Sequence, residues 1–179
     1  MDKQIVTSKR SLTQETEDLL NRQIHMEGAS SAYYLAMASW CDKEGYSVSA
    51  DFLYRHSDEE RQHMLKLIRF VNERGGKAVV PAVSMPANEF NTLKNMFTVL
   101  LKHEVYVSER INDIVHVSLE EKDYASNNFL QWYVSEQIEE EALARTILDK
   151  INLIGDDKGG LYLFDNDIKS LVAQSSTTV

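Results

Sequence analysis

The chain has 179 residues, a formal net charge of −9 and a pI near 5.0. That length suits one domain with a sizeable core, and the acidic balance excludes the basic face that nucleic-acid binding requires, leaving cations as the natural partners. The lone cysteine, Cys41, permits no intrachain disulfide, in keeping with a reducing, cytoplasmic setting.

Along the chain, a polar arm at 1–10 and the residues up to Thr16 lack the apolar run of a signal peptide, and no stretch approaches the length of a membrane span. Only two prolines, Pro81 and Pro86, and seven glycines are available to interrupt helices. Apolar residues recur at helical spacing in four long segments, near 12–42, 48–75, 92–120 and 123–152. Ser47 or Ser49 offers an N-cap for the second, Gly75-Gly76 stops it, Asn88 or Asn91 starts the third and Asp123 the fourth. Gly155 and Gly159-Gly160 set off a shorter fifth segment at about 161–172, ahead of a polar tail at 173–179. The breaks around Gly45 and Lys122 are short, so each predicts a helical hairpin. Between the hairpins, Gly76 to Phe90 is long and extended enough to travel the length of a bundle. The reading is therefore all-α and single-domain: a four-helix bundle over 11–153 with one long crossover, the connectivity of ferritin-like folds, and a short C-terminal fifth helix.

A carboxylate interrupts each mainly apolar stripe. The first helix presents Leu20, Ile24, Glu27, Ser31, Tyr34 and Ala38, and the second Leu53, His56, Glu60, His63, Leu67 and Phe70. The third presents Phe97, Leu100, Glu104, Val107, Ile111 and Ile114, and the fourth Leu130, Tyr133, Gln137, Glu140, Ala144 and Ile147. An isolated carboxylate in a core costs several kcal/mol and escapes by protonation; a shared multivalent cation gives four of them a common reason to be there.

The spacing supports one shared level. Glu27 and Glu60 are 33 residues apart, as are Glu104 and Gln137, and each second position is followed three residues later by His63 or Glu140. Folding each hairpin at its break puts these groups opposite one another about 17 residues from the turn, roughly 25 Å along the rods.

Taken singly, Glu60-x-x-His63 reads as an ordinary solvated or hydrogen-bonded pair, since residues three apart share a face in any helix. Glu27 or Glu104 alone reads as a partly exposed acid. His56 lies about a turn from the level of Glu60 and reads as a satisfied core histidine; His25, His103 and His116 fall off the seams. Tyr34 fits core packing or a redox or hydrogen-bonding role equally well. Glu59, Glu136 and Glu139 flank the stripe and suggest a further acidic group beside it.

The sequence resembles the bacterial non-haem ferritins over its whole folded length. The match is carried by Met26-Glu27, Tyr33-Tyr34, Arg55-His56, Glu59-Glu60-Arg61-Gln62-His63-Met64, Lys102-His103-Glu104, the run from Asn128 to Gln137, and Gly160-Leu161-Tyr162. The resemblance implies a di-iron site, with one iron on Glu27, Glu60 and His63, a second on Glu60, Glu104 and Glu140, and Glu60 bridging. It implies that Gln137 is a nearby hydrogen-bonding or weak-ligand residue and Tyr34 the central tyrosine, with a third iron site at Glu59, Glu136, Glu139 and Glu140. The implied activity is oxidation of Fe(II) by O2 or H2O2, a ferroxidase reaction followed by ferric oxyhydroxide storage inside a homo-oligomeric cage of two dozen subunits. Arg61 stands where bacterioferritins carry their haem-ligating methionine, so no haem is expected. Di-iron bundles of the bacterioferritin and rubrerythrin type repeat Glu-x-x-His; here the second copy reads Gln137-x-x-Glu140, which favours storage. The rival readings are a di-iron oxidoreductase or peroxidase of the rubrerythrin or mini-ferritin type and a structural bundle without metal.

Overall fold

The computed structural model describes residues 11–175, so the expected arm at 1–10 and the end of the tail at 176–179 lie outside it. Five helices and, among the described residues, no strand make up the chain: α1 (Gln14–Glu44), α2 (Ser47–Glu73), α3 (Leu93–Glu120), α4 (Tyr124–Ile154) and α5 (Lys158–Ser175). None of these helices is long and apolar enough to cross a membrane.

Local chemistry explains most boundaries. The Thr13 side chain accepts from Thr16 N to open α1, and Gly45, at φ 88°, closes it in the left-handed region that glycine adopts without steric cost. Asp123 accepts from Ser126 N at 3.1 Å and opens α4 as expected. Three expectations are corrected. Thr92, rather than Asn88 or Asn91, caps α3 by accepting from Asn95 N. Neither Ser47 nor Ser49 caps α2; instead Asp165, far along the chain in α5, accepts from Val48 N at 3.1 Å, Ser49 N at 2.8 Å and Ser49 Oγ at 2.6 Å. The fifth helix starts at Lys158, so Gly159 and Gly160 lie inside it, because the Asp157 carboxylate captures Gly160 N at 2.6 Å. It also continues to Ser175, past the expected start of the polar tail.

The crossover runs beside α1 from one end to the other. Asn21 donates to Lys77 O and accepts from Val79 N, the Gly28 position approaches Pro81 and Val83, and Lys43 pairs with Glu89 near the far end. The crossover therefore returns the chain to the end where α2 began, and α3 runs antiparallel to α1: Thr13 and Thr16 donate to Glu121, and Tyr34 meets Glu104. Likewise α2 opposes α4, with Arg74 on Asp123 at 3.0 Å, Phe70 stacked on Phe129 and His63 against Tyr133.

Two apolar layers flank a polar level. On the side of the α1–α2 turn lie Tyr34, Met37, Trp40, Phe52, Leu53, Phe97, Leu100 and Ile147, closed by Phe164 and Ile168 of α5. Beyond the polar level lie Leu20, Ile24, Leu67, Val71, Ile111, Ile114 and Leu130. The hairpin α1–α2 closes tightly because Ser31 and Ser57 are small and bond each other's backbone, Ser31 Oγ to Ser57 O at 2.8 Å and Ser57 Oγ to Ser31 O at 2.7 Å.

Candidate metal centre

Between the two layers, side chains from all four long helices meet. Glu27 of α1, Glu60 and His63 of α2, and Glu104 of α3 are buried, as is Gln137 of α4; Glu140 is half-buried at the margin. The ligating atoms of Glu27, Glu60 and His63 all lie within 4.8 Å of one another, and so do those of His56, Glu60 and Glu104. Glu60 thus belongs to two groups. His63 Nδ1 is 3.6 Å from Glu60 Oε2, and its backbone carbonyl accepts from the Tyr133 hydroxyl at 2.8 Å, which ties the α2 ligands to α4. Gln23 donates to Glu27 at 2.8 Å, one turn before it on α1.

Tyr34 is fully buried and its hydroxyl donates to Glu104 Oε1, so the hydrogen-bonding role joins the packing one. Gln137 Nε2 donates to Glu104 Oε2 at 3.0 Å. Beside the polar level, His103 bonds Ser30 at 2.7 Å and sets its ring edge against Tyr34.

His56 departs from the expectation drawn on it. It is satisfied and buried, but by the acids of the site: Nε2 lies 3.2 Å from Glu140 Oε2 and 3.7 Å from Glu104 Oε1, and Nδ1 lies 3.3 Å from Glu59 Oε2. The helix geometry gives the reason. Because α2 and α4 are antiparallel, moving one turn from Gln137 to Glu140 also moves one turn along α2 from Glu60 toward its N-terminus, to the level of His56. A depth comparison between α2 and α4, rather than within each hairpin alone, was the available signal.

The flanking acids divide. Glu59 and Glu140 gather around His56 within 4.8 Å, whereas Glu136 and Glu139 join no such group of three among the described residues. Glu136 remains within electrostatic range of His63, Glu139, Lys66 and Glu59.

So many acids in one buried layer cannot all ionise comfortably without a cation. Burial, then the Glu60 charge, raises Glu27 well above the usual carboxylate range. Burial and Glu104 push Glu60 up to about 8, and burial and Glu104 push Glu140 up to about 7 despite the attraction of His56. Glu104 goes the other way: burial opposes its charge, but interactions with His56, Tyr34 and Gln137 prevail and hold it low. For His56 burial disfavours the charge, yet Glu140, Glu104 and Glu59 outweigh it and raise the imidazole well above its ordinary value. The hydrogen bond with His56 lowers Glu59. These shifts favour bound protons on Glu27, Glu60, Glu140 and His56, at positions that a cation would take over.

Known proteins share this fold. Residues 17–154 match the family model described as a ferritin-like domain. A probable bacterial non-heme ferritin-like protein of Haemophilus influenzae is 46% identical over 160 residues, which cover 89% of this chain and 97% of that protein. The bacterial non-heme ferritin of Campylobacter jejuni is 43% identical over 160 residues, 89% of this chain and 96% of its own. An open pore ferritin from the archaeon Archaeoglobus fulgidus superposes with a TM-score of 0.86 at 40% identity, covering 88% of this chain and 97% of that one. Sequence and backbone agree over nearly the full length of each relative, and the chain belongs to the ferritin family.

Proposed function

We propose that the protein is an iron-storage ferritin whose subunit oxidises Fe(II) at a di-iron site and passes the ferric product to a mineral inside a homo-oligomeric cage of two dozen copies. The observation that carries this reading is Glu60: one buried carboxylate shared by two groups of ligating atoms, as a bridge between two metal ions requires. The donor set fits the substrate. Carboxylate oxygens with a minority of imidazole nitrogens suit Fe(II) and favour the harder Fe(III) product.

In the proposed reaction, Glu27, Glu60 and His63 hold one Fe(II), and Glu60, Glu104 and Glu140 hold the second. Two ferrous ions give one electron each, reducing O2 to H2O2 or H2O2 to water, with protons supplied to the oxidant. Tyr34 and Gln137 hold Glu104 by hydrogen bonds and orient it toward the site. Apolar layers close the site on both sides, and the acids at its margin, the half-buried Glu140, Glu136 and Glu139 and the exposed Glu59, supply the proposed way out. These four acids form the proposed third iron site, and their graded exposure offers the ferric ion successive carboxylates on its way out. Exposed apolar side chains support assembly: Val79, Val80 and Met85 on the crossover and Leu153, Tyr162 and Leu163 around α5 remain for neighbouring copies to cover.

Aerobic Fe(II) loading tests the reading. Wild-type protein is expected to oxidise Fe(II) rapidly and to elute as a very large particle retaining many irons per subunit. Fe(II) oxidation at the wild-type rate by Glu60→Ala or His63→Ala would refute the site, and a small particle retaining two irons would point to a di-iron oxidoreductase instead.

A further inference from the structure

We propose that His56 is a metal ligand, its Nε2 supplying the nitrogen donor of the second iron position alongside Glu60 and Glu104. The inference rests on the di-iron reading and changes its second half, which the sequence presents as oxygen ligands only.

The second hairpin offers no imidazole to its own half of the site. Where the first hairpin ends its motif in His63, the second ends in Glu140, so no histidine of α3 or α4 lies at the second position. His56 of α2 reaches that place, as the antiparallel register with α4 dictates. Its Nε2 and the carboxylates of Glu60 and Glu104 satisfy the same 4.8 Å mutual limit as the Glu27, Glu60 and His63 group. For metal–ligand bonds of about 2.1 Å, neighbouring donor atoms stand about 3.0–3.4 Å apart. The Nε2 distance of 3.2 Å to Glu140 lies within that range and the 3.7 Å to Glu104 a few tenths of an ångström above it, so a cation fits among them after a small shift.

A second feature points to ligation independently. Metal-bound histidines typically direct the other ring nitrogen at a carboxylate or carbonyl, which sets the tautomer and leaves the ligating nitrogen free of its proton. Nδ1 of His56 faces Glu59 Oε2 at 3.3 Å. The ring itself is clamped between Tyr34, stacked at 4.7 Å, and Phe52, stacked at 5.4 Å, and is only 2% exposed. Ring plane and direction are set before a metal arrives, and a cation at Nε2 takes the place of the proton there. Glu59 accordingly acts as a positioning residue for His56 as well as an acid of the exit.

Pulsed electron paramagnetic resonance on the assembled full chain loaded with vanadyl or Cu(II) ion tests this, because a metal-bound imidazole reveals itself through its remote nitrogen. The His63→Ala variant removes the first position's nitrogen donor, and it is expected to retain an imidazole coupling that His63→Ala/His56→Gln loses. His25, His103 and His116 remain in every variant, so a coupling that survives the double substitution comes from elsewhere and overturns the proposal. So does the absence of any imidazole coupling in His63→Ala while that variant still binds the probe. Because His56 is intact in the single variant, this second outcome does not depend on the double variant folding. Failure of the di-iron reading looks different: the wild-type chain would then show no metal uptake that Glu60→Ala abolishes.

Discussion

The two hairpins carry the same 33-residue spacing between polar positions but do different things with it. The first, α1–α2, supplies a carboxylate from each helix and both imidazoles of the site, and its helices are drawn together by the Ser31 and Ser57 backbone bonds. The second, α3–α4, supplies Glu104, the amide of Gln137 and the half-buried Glu140, while the α4 aromatic residues Phe129, Trp132 and Tyr133 fill the gap to α2. The spacing equalises depth; the residue types decide role. One hairpin brings together nitrogen and oxygen donors, and the other forms the more exposed side of the polar level.

The largest effect that separates the hairpins is expected from paired substitutions of matched positions. Glu60→Ala should slow Fe(II) oxidation more than about 100-fold in stopped-flow measurements, beyond the roughly 10–100-fold typical of a partner that only orients a ligand. Gln137→Ala, at the equivalent position of α4, should fall within that smaller range. Equal losses for the two would erase the distinction.

Packing, by contrast, should not tell the hairpins apart. Leu67 of α2 and Ile114 of α3 are buried to nearly the same degree in one apolar layer. Leu67→Ala and Ile114→Ala should each destabilise by about 3 kcal/mol in denaturant unfolding, through lost transfer energy and the cavity left behind. A large inequality would mean that one hairpin carries the fold as well as the site.

The protonation pattern predicts an unusual pH dependence for the metal-free protein. Glu27, Glu60 and Glu140 have folded-state values above those of an unfolded chain, and His56 is raised as well. Their stabilising contribution is complete at low pH and is lost as pH rises, for the carboxyls across the interval from about 4.5 in the unfolded chain to about 8 for Glu60. Glu104, Glu59 and Asp123 oppose this, being held low; their contribution disappears only as the solution becomes acidic enough to protonate them. Thermal melts under chelation should therefore show lower stability at pH 8 than at pH 5.5. Adding Zn(II) should reverse the trend, with protons released on binding, because the cation replaces them. A stability that climbs with pH in the chelated protein would contradict the assigned protonation of the site.

The smallest expected effect probes the close approach within the first hairpin. Ser57→Ala removes one of the two side-chain bonds to the facing backbone and should cost about 1 kcal/mol, with the iron site still competent. Loss of Fe(II) oxidation from this change would show that the Ser31–Ser57 clasp sets the distance between Glu27 and Glu60.

The sequence by itself determined the helices, the two hairpins, the long crossover and the common level of Glu27, Glu60, His63, Glu104 and Gln137, because helical rise converts residue counts into depth and each hairpin has a visible break. Tertiary structure alone decided what lies between partners distant in the chain. Asp165 caps α2 from α5, and no local pattern around Ser47 or Ser49 announces a cap from more than a hundred residues away. His56 enters the site because α2 and α4 run antiparallel across the bundle, a register set by the packing of Phe70 on Phe129 and Arg74 on Asp123 rather than by spacing within either hairpin. Periodicity assigns a residue its face and height on one helix; which side chain it meets across the core depends on how the helices dock.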